Sequence, residues 1–199
     1  MTSVVVFDMG GVLFEFLGDR LIAENSNRAR RWRSEEVQKL WVALARPYET
    51  GAASEAEFVE AVLRTYDLRL SAAEFSQQFR TAAIGYYEGA LELVHEIAAR
   101  HRTVSLSNTN ALQWPEVLAP LAGKDPFTAH YPSHLSGFHK PDPRAYRALA
   151  RAHAPQSVFY FLDDRAENVA AATSLGWRAR RVRGVAEARL ACAELGLLE

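Results

Sequence analysis

The 199-residue chain has a single cysteine, Cys192. No intrachain disulfide can form, and a metal site built on several thiolates is excluded. An excess of either charge is also missing: 23 Lys and Arg face 24 Asp and Glu, for a formal net charge of −1. That balance argues against a domain organised around bulk positive charge, so no nucleic-acid partner is expected. No apolar run approaches the roughly 18 residues that a membrane span requires, so no membrane partner is expected. No basic segment precedes the first apolar stretch, which therefore reads as a strand and not as a secretory signal. The expected setting is cytoplasmic. Repeats and low-complexity tracts are absent. The length suits one substantial core, or a core with a small insert.

The chain is organised around Val4-Val5-Val6-Phe7-Asp8-Met9-Gly10-Gly11-Val12-Leu13. A short apolar run of this kind reads as a strand buried on both faces, as in a parallel sheet. Ligands of such sheets sit outside the carboxyl ends of the strands, which is where Asp8 falls. Gly10 and Gly11 allow a sharp turn and a close approach of backbone to ligand. On this stretch alone, Asp8 reads equally well as a turn cap.

Residues from about Leu17 to Arg33 are polar and rich in arginine (Arg20, Arg28, Arg30, Arg31, Arg33). Such a run reads as a solvated helix face or its loop, with phosphate recruitment as the alternative. Val37, Leu40, Trp41 and Leu44 follow helical spacing, with Glu35 and Glu36 in the first turn. Ser54-Glu55-Ala56-Glu57 and Ser71-Ala72-Ala73-Glu74 are capping boxes at the start of two further amphipathic helices. Trp32, Trp41, Phe58, Phe75 and Phe79 read as the core of this helical region. The whole stretch from about 15 to 85 is thus expected to be helical. It is far longer than a simple crossover needs, and reads as an inserted bundle.

An α/β rhythm then resumes. A helix is expected from Gly89 to Arg100, with Leu91, Val94 and Ala98 on one face. Thr103-Val104-Ser105-Leu106 reads as a strand ending at Ser107-Asn108-Thr109-Asn110, and a helix should start near Asn110, with Pro115 in its first turns or breaking it. Residues 120–141 read as loop. Asp142-Pro143 is an N-cap followed by proline at the first helical position. Val158 to Leu162 is the clearest strand, ending in Asp163-Asp164. A helix to Leu175 is closed by Gly176. Arg178 to Arg183 reads as a polar edge strand and not as a binding patch. A last helix uses Ala188, Cys192 and Leu195.

Asp8, Ser107, Lys140 and Asp163-Asp164 each fall at or just after a strand or loop end, so in a parallel sheet they would converge on one side. Each type has work to do in phosphoryl transfer. A carboxylate can attack phosphorus. Mg²⁺ takes oxygen ligands, usually one or two carboxylates beside substrate phosphate and water. A hydroxyl, backbone N–H groups and a lysine can hold the non-bridging oxygens. Taken singly, Ser107-Asn108 also reads as a turn starter, Lys140 as a surface lysine and Asp163-Asp164 as an N-cap pair.

Four motifs carry a resemblance: Phe7-Asp8-Met9-Gly10-Gly11-Val12, Leu106-Ser107-Asn108-Thr109-Asn110, His139-Lys140-Pro141-Asp142-Pro143, and Phe161-Leu162-Asp163-Asp164 with Asn168. Together they resemble the haloacid dehalogenase-like (HAD) hydrolase superfamily over nearly the whole chain. The resemblance implies an α/β fold: a Rossmann-like parallel sheet with helices on both faces (residues 1–14 and 86–199) and a small helical cap (residues 15–85). It implies Asp8 as nucleophile, Ser107, Asn108 and Lys140 at the phosphoryl group, and Mg²⁺ held by Asp8, the Gly10 carbonyl and Asp164, with Asp163 acting nearby. The partner it implies is a small phosphorylated substrate.

Most superfamily phosphatases carry an aspartate two residues after the nucleophile as general acid and base. Here that position is Gly10. Phosphatases acting on α-D-glucose 1-phosphate resemble this chain in having Asp-x-Gly and Ser-Asn-Thr-Asn, so a sugar phosphate is the expected substrate class. Glu15 is a candidate for the missing proton donor. A 2-haloacid dehalogenase, a catalytically weak binding or regulatory protein and a phosphomutase are the rival expectations. Trp114, His130 and His134 are candidate pocket residues, with packed or surface roles as the alternative. Oligomeric state is not indicated.

Overall fold

Val4, Val5 and Val6 are fully buried because strand β1 (Ser3–Phe7) runs through the middle of a five-stranded parallel sheet. The structure, a computed structural model, describes residues 3–27 and 34–198, without the side chains of Asp19 and residues 34–38. Arg28, Arg30, Arg31, Trp32 and Arg33, and the side chains of Glu35, Glu36 and Val37, lie outside the described residues.

The sheet order is β5-β4-β1-β6-β7, with β4 at Arg102–Ser107, β5 at Ala129–Pro132, β6 at Val158–Asp163 and β7 at Arg178–Arg181. From β1 the chain builds outward through β4 and β5, then returns to the other side of β1 for β6 and β7. The sheet therefore reverses direction of growth beside β1, and the crevice at such a point is where α/β sheets bind ligands. Alternation along β1 divides its side chains between the two faces. Val5 and Phe7 pack with helices α5 (Ala90–Ala98), α6 (Trp114–Leu118) and α10 (Gly184–Glu194). Val4 and Val6 pack with α8 (Pro143–Arg151) and α9 (Ala166–Ser174). The sheet is thus covered by helices on both faces, as an all-parallel sheet requires. Cys192 is part of the first of these layers, and burial pushes its thiol up to about 12, so it packs and does not react.

Between β1 and α5, four helices stand among the described residues: α1 (Gly18–Asn25), α2 (Ser34–Glu49), α3 (Glu55–Tyr66) and α4 (Ala72–Thr81). Both capping boxes form, with Ser54 accepting from the Glu57 N–H and Ser71 from the Glu74 N–H. Phe58, Phe75 and Phe79 are buried in a separate apolar cluster, with Trp41 partly buried against it. Leu112, from the loop after β4, inserts into that cluster, and Gln113 Nε2 donates to the Phe79 carbonyl at 2.9 Å. Arg20 is exposed and pairs with Glu24, in keeping with a solvated face.

Three expectations need correction. The stretch from 15 to 85 is not wholly helical: β2 (Phe14–Phe16) and β3 (Ala83–Tyr86) pair antiparallel at its two ends. Residues 120–141 are not all loop, because β5 and the short helix α7 (Ser133–Ser136) lie within them. The buried face of α5 is Ala90, Leu93, Val94 and Ile97, not Leu91, Val94 and Ala98, because the sheet is met by the i, i+3, i+4, i+7 stripe starting at Ala90. Among the described residues no helix is long and apolar enough to cross a membrane.

Candidate active site

Asp8 follows β1 directly, and its backbone N–H donates to the Leu162 carbonyl of β6 at 2.9 Å. This continues the ladder by one residue, so Asp8 and Asp163 emerge side by side at the carboxyl edge. The Asp8 Oδ1 accepts from its neighbour Met9 N–H at 2.7 Å and lies 2.9 Å from Lys140 Nζ. The same ammonium donates to Asp163 Oδ2 at 2.7 Å. Asp163 also accepts from the Arg165 N–H at 2.8 Å and from Asn168 Nδ2 at 2.9 Å. Asn108 holds the lysine in place through its peptide: Oδ1 accepts from Lys140 N–H at 2.8 Å, and Nδ2 donates to the Lys140 carbonyl at 3.0 Å.

Asp164 completes the group. One ligand oxygen from each of Asp8, Asp163 and Asp164 lies within 4.8 Å of the others. Gly11 makes this approach possible. Its φ is +74°, and a Cβ there would stand 2.9 Å from Asp164 Oδ2. Gly10 has ordinary backbone geometry, and a Cβ would meet only the Phe16 ring at 3.4 Å.

The electrostatics follow from three carboxylates beside one ammonium. Burial, and then the nearby Asp163 charge, hold the Asp8 carboxyl well above its ordinary value against the pull of Lys140. Burial also raises Asp163, but Lys140, the Arg165 N–H and Asn168 outweigh it and leave that carboxyl below its ordinary value. Asp164 is held up by burial and by Asp163. Lys140 is disfavoured by burial, yet its two carboxylate partners keep it firmly protonated. With all three acids ionised the cluster carries two negative charges in excess. A divalent cation with oxygen ligands would neutralise it, and the donor set suits Mg²⁺.

The cluster opens on a cavity of about 300 Å³ lined by Asp8, Gly10, Asn108, Thr109, Asp164 and Asn168 from the sheet edge. Trp41, Val42, Ala45, Glu49 and Phe79 line it from the helical insert, and Phe16 from β2. Ser107 and Lys140 are buried at the same edge, at 4% and 2% exposure, and are not part of this lining. Glu15 and the candidates Trp114, His130 and His134 do not line it either. Trp114 is packed in the core, and His130 is tied to Asp125 and Ser105. Glu49 and His139 are among the wall residues that carried no assigned role in the sequence, and His139 Nε2 lies 2.8 Å from Glu49 Oε2. They are 90 residues apart, and no local pattern links them.

The arrangement places an acid able to attack an electrophile beside a cluster of carboxylates that could hold a cation, in a cavity walled on one side by the helical insert. A family model described as haloacid dehalogenase-like hydrolase matches residues 2–176. No curated protein matches the chain. Among solved structures, a HAD family enzyme from Bacteroides thetaiotaomicron is 20% identical, with a TM-score of 0.72 over 92% of this chain and 95% of that one, and was solved with magnesium and inorganic phosphate. A HAD-like family hydrolase from Porphyromonas gingivalis is 23% identical, with a TM-score of 0.69 over 92% of each chain. The L-2-haloacid dehalogenase of Xanthobacter autotrophicus is 22% identical, with a TM-score of 0.60 over 92% of this chain and 78% of that one.

Proposed function

The chain belongs to the haloacid dehalogenase-like hydrolases, and on that footing we propose that it is a Mg²⁺-dependent phosphatase of a small phosphorylated metabolite, acting through an aspartyl-phosphate. The observation that carries this reading is the excess of negative charge at Asp8, Asp163 and Asp164. Displacement of halide by an aspartate needs no cation, and for that reaction a third carboxylate would only add repulsion. Phosphoryl transfer needs the cation, because the transferring group brings further negative charge.

Asp8, Asp164 and the Gly10 carbonyl would hold Mg²⁺, with Asp163 close by. The ion would supply charge neutralisation at the phosphoryl oxygens and favour the ionised form of Asp8. Asp8 attacks phosphorus, and the bond to the leaving oxygen breaks. Lys140 orients the Asp8 carboxylate and, with Ser107 and backbone N–H groups after β4, stabilises the non-bridging oxygens. Asn108 fixes the lysine's peptide. Water then hydrolyses the acyl phosphate and regenerates Asp8. The helical insert acts as a cap that excludes bulk water.

A sugar phosphate, in particular a sugar 1-phosphate, is the substrate class this reading favours. The cavity is small, Glu49, Gln113 and Thr109 offer partners to hydroxyl groups, and Trp41 offers an apolar face. The test is release of inorganic phosphate from a panel of phosphorylated metabolites, with and without Mg²⁺, for the wild type and Asp8→Asn. Metal-dependent release that the variant lacks is expected. Release by folded Asp8→Asn, or turnover of haloacids alone and without metal, would overturn the reading.

A further inference from the structure

Gly10 cannot donate a proton, and the residues around the cavity narrow the choice of what does. Beyond Asp8 and Asp164, which phosphoryl transfer needs ionised, the titratable groups on its wall among the described residues are Glu49, His139 and Arg165. An arginine does not release its proton in a protein. His139 and Glu49 remain, and they are bonded to each other.

Their hydrogen bonds count the protons. His139 Nδ1 lies 2.6 Å from the Lys140 carbonyl, and Nε2 lies 2.8 Å from Glu49 Oε2. Asn108 Nδ2 is also 3.1 Å from Nδ1 and has a second N–H beside the one it gives the Lys140 carbonyl, but an Nδ1 that accepted it would set two bare acceptors, Nδ1 and that carbonyl, 2.6 Å apart, so the shorter contact assigns the proton to Nδ1. A carbonyl only accepts, and so does an ionised carboxylate. A neutral imidazole has one N–H and satisfies one of the two. Both contacts are satisfied only when the pair holds one proton more than a neutral ring and a carboxylate would carry. The side chains are 8% and 15% exposed, so that proton is largely shielded from bulk water. Lys140 and Asp142 follow His139 within three residues of chain, and Arg46 of α2 acts on Asp142.

We propose that His139 and Glu49 together are the proton donor of the reaction, with the shared proton passing to the leaving oxygen. The inference rests on the phosphatase reading above. As the Asp8 oxygen–phosphorus bond forms, the bond from phosphorus to the leaving oxygen breaks and its electron pair stays on that oxygen. The proton from the pair joins it, leaving a neutral imidazole facing a carboxylate. The water that next attacks phosphorus gives its proton back to the pair. His139 comes from the sheet domain and Glu49 from the end of α2, so the donor exists only while the helical insert is closed on the sheet.

The test compares a poor leaving group with a good one. Wild type, Glu49→Gln and His139→Gln are assayed with Mg²⁺ on an alkyl phosphate, glycerol 3-phosphate, and on 4-nitrophenyl phosphate, whose leaving group departs as a stable anion. Loss of a general acid should lower kcat on the alkyl ester by about 10²–10⁴-fold and on the aryl ester by less than about tenfold. Retained aryl turnover also shows that the variants fold. Equal losses on both esters would mean a merely structural tie, and no loss on either would mean the proton comes from elsewhere; both overturn the inference and leave the phosphatase reading intact. A wild type that releases no phosphate from either ester or from the metabolite panel overturns both.

Discussion

Lys140 is the counter-charge on which the acidic cluster depends, and Lys140→Met removes it while keeping most of the stem. The side chain is 1% exposed, and its two partners are 10% (Asp8) and 0% (Asp163) exposed. Removing one partner of a buried ion pair costs about 3–5 kcal/mol. At roughly 2–4 °C per kcal/mol for a chain of this size, the metal-free variant should melt about 6–20 °C below the wild type. The deficit depends on pH in a fixed direction. The Asp163 carboxyl is held below its ordinary value chiefly by Lys140, so its contribution to stability is present above about pH 4, is lost as pH falls further, and is missing from the variant at any higher pH. Asp8 is already raised by burial and rises further without the ammonium. A raised carboxyl favours the folded state at low pH, and that contribution is lost as pH rises through the folded value. The gap between variant and wild type should therefore widen as pH rises from the ordinary carboxylate range, about pH 4, to about pH 7.5. Thermal unfolding followed by circular dichroism at both pH values, with a chelator and then with Mg²⁺, measures it. Mg²⁺ should recover part of the loss by restoring positive charge. A gap under about 2 °C, or one that does not widen with pH, would refute the reasoning.

Gly11→Ala forces an alanine to a φ of +74° and sets its Cβ 2.9 Å from Asp164 Oδ2. It should cost about 1–2 kcal/mol in urea unfolding and weaken Mg²⁺ binding measured by calorimetry, and unchanged affinity would mean that Asp164 is not held by this approach. Gly10→Asp meets only the Phe16 ring, so it should fold. In a Glu49→Gln background it should restore at least about tenfold of the lost alkyl-phosphate turnover; failure to do so would show that the two positions do not supply the same proton.

The cap's two roles have separate anchors. Leu112 and the Gln113–Phe79 bond fasten α4 and the aromatic cluster to the loop after β4. The Glu49–His139 contact fastens the end of α2 beside Lys140. The first is mostly apolar and insensitive to charge, whereas the second is polar and lies on the cavity wall.

The chain by itself determined the elements whose signals are local. The apolar runs of β1 and β6, each delivering acids at its carboxyl end, were legible because burial on both faces demands unbroken hydrophobic residues. The capping boxes at Ser54 and Ser71 and the proline after Asp142 were legible because they satisfy backbone groups within one turn. The four motifs placed Asp8, Ser107, Lys140 and the Asp163-Asp164 pair at one edge, and the structure brings Asp8, Lys140, Asp163 and Asp164 together there. Tertiary structure alone decided the rest. Glu15 pairs with Gly85 in a two-stranded sheet too short to show a period, and therefore was read as part of the helical insert. β5 is four residues at a sheet edge, where hydrogen bonds to β4 and not hydrophobic pattern define the strand. Trp114, His130 and His134 were candidates by residue type, but the packing between β5 and α6 turned them away from the cavity. The Glu49–His139 contact joins residues 90 positions apart, and its proton count exists only once the fold sets two acceptors on opposite sides of one ring. Sequence patterns record what a segment does for its own backbone and burial; which distant side chains meet is set by how the finished elements pack.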